Sequence, residues 1–307
     1  MTDALASLVA AELAEPVDPR VAAMAAAVAA LYPGAAQAVL FYGSCLRTAE
    51  LEGQMLDFYL IVSSYRRAYK SRALAAANRL VPPNVFAFEH DGLAAKYAVL
   101  SEADFARECG LEARSVSVWA RFAQPSRLVW AADDLARARI VAAVAEAAPT
   151  LHQLTLPMLD PAIAWTPLDI WRFGFSLTYG AELRAERGHR SASLVDADPG
   201  RYQRFGLAAA EEIARRMGVG PNGQVPLIES PDRMRRRWRR MQRKGKWLSV
   251  VRLAKASATF AGGVDYIAWK INRHAGTQIR LTPRQRRWPL LAAITLLPRL
   301  LKRGAIR

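Results

Sequence analysis

Two short apolar runs joined by a polar loop constrain this chain most: Ala38-Val39-Leu40-Phe41-Tyr42-Gly43-Ser44 and Met55-Leu56-Asp57-Phe58-Tyr59-Leu60-Ile61-Val62. Apolar runs of this length bounded by turn residues read as buried strands. A carboxylate inside such a run is costly to bury unless it meets a cation or another partner. The Gly-Ser turn at the end of the first run offers backbone N–H groups and a hydroxyl to a phosphate. One reading is therefore a triphosphate cradle and a metal carboxylate on neighbouring strands. The plainer reading is a hairpin in which Gly43 makes a turn and Asp57 caps a strand.

Under the first reading these are parts of a nucleotidyltransferase site, with Gly43 and Ser44 on the triphosphate and Asp57 on Mg²⁺. Most such enzymes carry a second acid two residues after the first, and here that position is Tyr59. One carboxylate with water and phosphate oxygens is a sparse ligand set for magnesium. Glu89, at the end of the next expected strand, is the nearest further candidate by topology, and it also reads as a surface acid. Lys96 could face a phosphate or lie along a strand edge. The four histidines, His90, His152, His189 and His274, show no metal spacing. The two cysteines, Cys45 and Cys109, fit a reducing compartment, and Cys45 reads as a space-filling thiol.

The rest of the chain resembles the soluble, mitochondrial-type phosphatidate cytidylyltransferases, the translocator assembly and maintenance family. That family writes its catalytic strand with a lone acid followed by Phe, as in Leu56-Asp57-Phe58. Its Lys-Tyr-Gly-Val strand is matched by Lys96-Tyr97-Ala98-Val99, with Ala for Gly. Its motif after a Trp-containing helix, ending in Arg, a basic residue and Pro, is echoed by Trp119-Ala120-Arg121-Phe122-Ala123-Gln124-Pro125. Its Tyr-x-Gly-Asp-x-Arg element resembles Tyr179-Gly180-Ala181-Glu182-Leu183-Arg184, with Gly displaced and Glu for Asp. Its C-terminal Lys-rich, Thr-Ala-Gly segment looks like the stretch from Lys255 to Tyr266. The resemblance runs in order from about residue 36 to about residue 275. It implies CTP and phosphatidate as substrates, CDP-diacylglycerol as product and Mg²⁺ as cofactor. It also implies Lys96 and Arg184 on the nucleotide, Glu182 as a second candidate metal ligand, and Arg121 as a further phosphate partner. For each of these the plain alternative is a helix or strand surface residue.

Charge is distributed unevenly. From Arg233 to Arg307 there are 21 Lys and Arg against one acid, Asp265. That stretch carries +20, while the whole chain is +16, leaving −4 for residues 1–232. Such a tail seeks a polyanion. Trp238, Trp247, Trp269 and Trp288 among the cations favour a membrane surface over nucleic acid. Trp247, Leu248, Val251 and Ala254 fall on one helical face, with Arg252 and Lys255 elsewhere on the wheel. The apolar stretch from Trp288 to Leu297 is too short to span a bilayer, which takes about 20 residues. The N-terminus, Met1-Thr2-Asp3-Ala4, lacks the pattern of a secretory or transit signal. The expected placement is peripheral, on the cytoplasmic face of an inner membrane. Abundant Ala and Arg suggest a GC-rich bacterial source.

With 307 residues, 52% of them hydrophobic, the chain can build more than one core. The spacing predicts helices at 3–14 and 20–31, strands at 37–42 and 55–62, and one basic helix at 65–80. Strands follow at 84–89, 96–100 and 127–131, with helices opening at Ser101 and covering 133–147. Pro149 to Pro161 reads as a linker or a short extension, 167–187 and 201–217 as helices, and Gly218 to Pro231 as a loop. The expected fold is α+β. A nucleotidyltransferase-like mixed sheet with flanking helices occupies 1–148, a mostly helical domain 149–230, and a basic, amphipathic, membrane-associating tail 231–307. Two other functions fit the same features: a nucleic-acid nucleotidyltransferase or RNA binder, and a non-catalytic membrane adaptor. The oligomeric state is unreadable.

Overall fold

The computed structural model describes residues 4–181, 194–219 and 227–259. The described chain is α+β: a five-stranded mixed sheet flanked by helices, of which α1 (Ala4–Leu13) and α2 (Pro19–Ala30) precede the first strand and α3 (Ser44–Thr48) follows it. The strands are β1 (Ala36–Tyr42), β2 (Met55–Val62), β3 (Asn84–His90), β4 (Leu93–Ser101) and β5 (Ser126–Ala131), in spatial order β3-β4-β2-β1-β5. The central β2 runs antiparallel to β1 and parallel to β4, while β5 and β3 pair antiparallel at the two edges.

Period-two alternation sends the strand side chains to two different cores. Val39, Phe41, Phe58, Leu60, Tyr97 and Val99 face α2 (Pro19–Ala30) and the turn after it. Leu40, Tyr59, Ile61, Ala98 and Leu100 face a second cluster built mostly from helices. That second face also carries Asp57 and Lys96, one alternation below Tyr59 and Ala98. The polar site thus sits at the rim of a sheet face whose upper part is packed shut.

Local chemistry explains most helix ends. Asp18, Ser101, Asp133 and Thr166 each cap a helix with a side-chain oxygen. The basic segment expected as one helix is two: α4 (Tyr65–Ala68) and α5 (Arg72–Leu80), parted by an extended Tyr69 and restarted by the Ser71 cap. The segment expected as a linker or a short extension begins as buried helix, Ala147–Thr155, followed by a short 3₁₀ turn. Pro149 has no N–H for the Ala145 carbonyl, so it ends the preceding helix, Asp134–Ala145, yet it is tolerated in the first turn of its own. Strand β4 begins at Leu93, three residues before the expected start.

The expected division at residue 148 does not coincide with a gap in packing. One cluster joins Leu5 of the first helix, Leu40 of β1, Leu151, Trp171, Tyr202 and Trp238. The basic C-terminal region also begins inside this core. Its described part is a helix, Pro231–Thr259, in which Met234 and Trp238 are buried. Trp238 donates its indole N–H to Leu154 O at 2.8 Å and packs edge-on against Trp119, so it is not a headgroup-facing residue. Arg252 donates to Pro82 O at 2.8 Å and to Ser117 Oγ at 2.7 Å, and Lys255 donates to Val81 O. These two cations therefore point into the protein. No described helix is long and apolar enough to cross a membrane. Trp269, Trp288 and the apolar stretch 288–297 lie outside the described residues.

Candidate active site

The register of three strands assembles the site. Tyr42, the last residue of β1, is opposite Asp57 on β2, and Asp57 is opposite Lys96 on β4. Gly43 follows Tyr42 with φ +98°, a conformation that side-chain-bearing residues rarely adopt. A methyl group there would meet Asp57 Oδ2 at 3.0 Å. The glycine backbone and the carboxylate are therefore in near contact. The short helix Ser44–Thr48 starts at once, leaving Ser44 exposed beside them.

Lys96 Nζ lies 2.9 Å from Asp57 Oδ1, with both side chains largely shielded: 25% and 19% exposed. Lys96 thus neutralises Asp57 in this structure. Asp57 is turned neither outward nor into the apolar core; it stays reachable from the rim. Its charge is felt by two neighbours. Burial, with Asp57 and Tyr59 beside it, pushes the Tyr42 hydroxyl well above the usual tyrosine range, and Arg121 opposes that shift by charge and hydrogen bond. Burial, then Asp57, raises the Cys45 thiol. Its sulfur lies 3.7 Å from Met55 O and the residue is buried, so Cys45 fills space, as expected of it. A cavity of about 280 Å³ opens at the N-terminal ends of β2 and β4, between Leu51–Met55 and Gly92–Ala94.

Gly43, Ser44, Asp57 and Lys96 are brought together, and Arg121 is added through Tyr42 and its donation to Ser117 O. Glu89 is not. It pairs with Ala94 on the far side of β4, two strands from β2. At about 4.8 Å per strand that puts its backbone about 10 Å to the side of β2, level with Met55 and two residues away from the level of Asp57. Glu182 and Arg184 lie outside the described residues. Among the described residues no group of three His, Cys, Asp or Glu could hold a metal. Tyr59, in place of the usual second acid, is 3% exposed and wedged between the Tyr42 and Phe122 rings, each 5.3 Å away. The position is aromatic core, with no opening to the rim. The donor set fits an ion carried largely by its own phosphate and water ligands, with Asp57 as the protein anchor. Tyr42 was not singled out by sequence; its signal was its place just before the Gly-Ser turn.

No protein-family model matches the chain, and no curated protein matches it. Among solved structures the chain is similar to a nucleotidyltransferase-like protein from Exiguobacterium sibiricum 255-15. The match covers 93% of this chain and 91% of that one at 11% identity and a TM-score of 0.29, a likeness too remote to carry an argument.

Proposed function

We propose that this chain is a nucleotidyltransferase, and specifically one that transfers the cytidylyl group of CTP to phosphatidate at a membrane surface. The observation that carries nucleotidyl transfer is the near contact of Gly43 with the Asp57 carboxylate, with Lys96 closing the other side. Backbone N–H groups, an anion and a cation converge where a triphosphate could be seated. The choice of CTP and phosphatidate rests on the ordered sequence resemblance.

In this reading the lipid phosphate oxygen attacks the α-phosphorus of CTP, a P–O bond forms, and the bond to the β-phosphate oxygen breaks to release pyrophosphate. A phosphate monoester is already ionised near neutral pH, so no strong general base is required. Catalysis is then mostly positioning and charge neutralisation. Gly43 lets the backbone approach the phosphates, and Ser44 adds a hydroxyl. Lys96 exchanges its bond to Asp57 for one to phosphate. Asp57 would hold Mg²⁺, which supplies charge neutralisation on the phosphates when bound.

The Pro231–Thr259 helix supports the membrane part. Its buried stripe is Met234, Trp238 and Gly245. Arg233, Arg236, Arg240, Arg243 and Trp247 follow the opposite stripe at three- and four-residue spacing, and all are exposed. Each cation at an anionic leaflet contributes about 1 kcal/mol.

The test is turnover of labelled CTP with Mg²⁺ and phosphatidate, on vesicles and on a short-chain soluble analogue. Wild type should form CDP-lipid, and Asp57→Ala should lower the rate at least about a thousandfold, the scale of a lost electrostatic anchor. Labelled RNA ends with no labelled lipid would overturn the reading in favour of a nucleic-acid enzyme. Absence of Mg²⁺-dependent CTP binding would favour an adaptor.

A further inference from the structure

A cavity of about 790 Å³ opens at the opposite end of the sheet, where the parallel strands β2 and β4 deliver Ser63 and Ser101. Six residues of extended chain separate Asp57 from Ser63, about 20 Å at 3.3 Å per residue. This is a separate place on the molecule. Its volume falls within the range of small-molecule sites, about 300–1,000 Å³.

Its walls are cationic. Arg66 comes from α4, Lys70 from the extended break, and Arg72 and Arg79 from α5. Arg72 and Arg79 stand two helical turns apart on one face, and between them on that face are only Ala75 and Ala76. The two small residues leave a gap flanked by two guanidinium groups. None of the four cations forms an ion pair among the described residues. The one acid in the wall, Asp104, is already engaged: it accepts from the Tyr65 hydroxyl at 2.5 Å and from Arg107 Nη1 at 2.5 Å.

The site is also firm. Asn78, fully buried, donates to Val99 O at 2.9 Å and accepts from Asn84 N, which fastens α5 to the sheet. Tyr65 and Tyr69 are buried in the floor. Ser63 Oγ is closed off from solvent and has no hydrogen-bond partner among the described residues. A buried hydroxyl without a partner is costly and rare in native proteins. The rest of Ser63 is part of the cavity wall.

We propose that this cavity is a second site, which binds a ligand through a multiply charged phosphate group, independently of Asp57. Guanidinium pairs match phosphate geometry, and Lys70 adds a point charge. The break between α4 and α5 creates the site, because an unbroken helix over 65–80 could not turn Arg66 and Arg72 toward a common space.

The experiment is calorimetric titration of the full chain with inorganic tripolyphosphate, and in parallel sedimentation with phosphatidylcholine vesicles containing phosphatidate. Arg66→Glu/Arg79→Glu should weaken tripolyphosphate binding about tenfold or more. Asp57→Ala should leave this binding in place, so failure of the enzymatic reading and failure of this one are distinguishable. Arg67→Glu, on the same short helix and outside the cavity wall, is the control and should change affinity less than about twofold. Binding seen only with phosphatidate vesicles, and lost in the double variant, would identify a lipid headgroup as the source of the phosphate. Equal weakening by Arg67→Glu, or binding that ignores the cavity variants, would overturn the proposal.

Discussion

Gly43 occupies a position that no other residue fits without cost. An alanine there would hold an unfavourable left-handed-side backbone, costing about 1–2 kcal/mol, and would push on Asp57 Oδ2. Gly43→Ala should therefore weaken Mg²⁺–CTP binding at least about tenfold while changing the melting temperature by only a few degrees, a contrast that calorimetry and thermal melts can read together. His152 gives the second residue-scale prediction. It is buried, its Nδ1 lies 2.9 Å from Ala148 O, and its ring meets Trp171 edge-on at 4.7 Å. Burial pulls it from its ordinary 6.5 down to about 4, against the hydrogen bond to Ala148. Between those values the unfolded chain binds the extra proton, so stability rises with pH across the window, is complete above about 6.5, and is lost by about 4. From pH 7 to pH 5 this group alone should cost about 2 kcal/mol in urea unfolding, and His152→Gln should flatten that slope.

At the scale of elements, the first helix is tied to the Pro199–Arg216 helix by one buried ion pair. Arg201, 3% exposed, donates Nη2 to Glu12 Oε1 at 2.9 Å and Nη1 to Ala123 O at 3.2 Å, with its guanidinium over the Phe205 ring. Glu12→Ala should destabilise by about 3–5 kcal/mol, because it strands a buried cation, while Glu12→Ala/Arg201→Met should recover much of that loss. Denaturant midpoints of the two variants check this. Sequence could not reveal the pair, which spans 189 positions with no pattern linking them. Other elements were legible. The strands β1 and β2 and the first two helices fall within a residue of where apolar runs and turn residues put them. The β3–β4 hairpin was readable in part. Asp91-Gly92, both at positive φ, is a strong two-residue hairpin signal, yet the Ala-rich start of β4 hid the strand behind weak strand formers. The Pro149 segment failed as a linker because proline was weighed above the buried Leu151 and Leu154 that follow it. Of the candidate site, the closeness of Gly43, Ser44, Asp57 and Lys96 was legible because they fall on neighbouring strands and the turn after one of them; the lateral distance of Glu89 was not, because strand order is not written in a single run of residues.

On the scale of the whole molecule, the C-terminal helix is both wall and surface. Truncation before Arg233 removes Met234 and Trp238 from the shared core, so it should abolish cooperative unfolding and lower turnover equally on soluble and vesicle-borne acceptors. Gly245→Ala belongs with this case, since its methyl group would collide with the Ala181 carbonyl. Inner and outer stripes of one helix answer to different demands. Residues at one angular phase are held by the interior, while those half a turn away can be exchanged singly without disturbing it. A lineage could thereby retune the charge and polarity of the outer face by surface substitutions alone, while every change at the other phase would be tested first against folding.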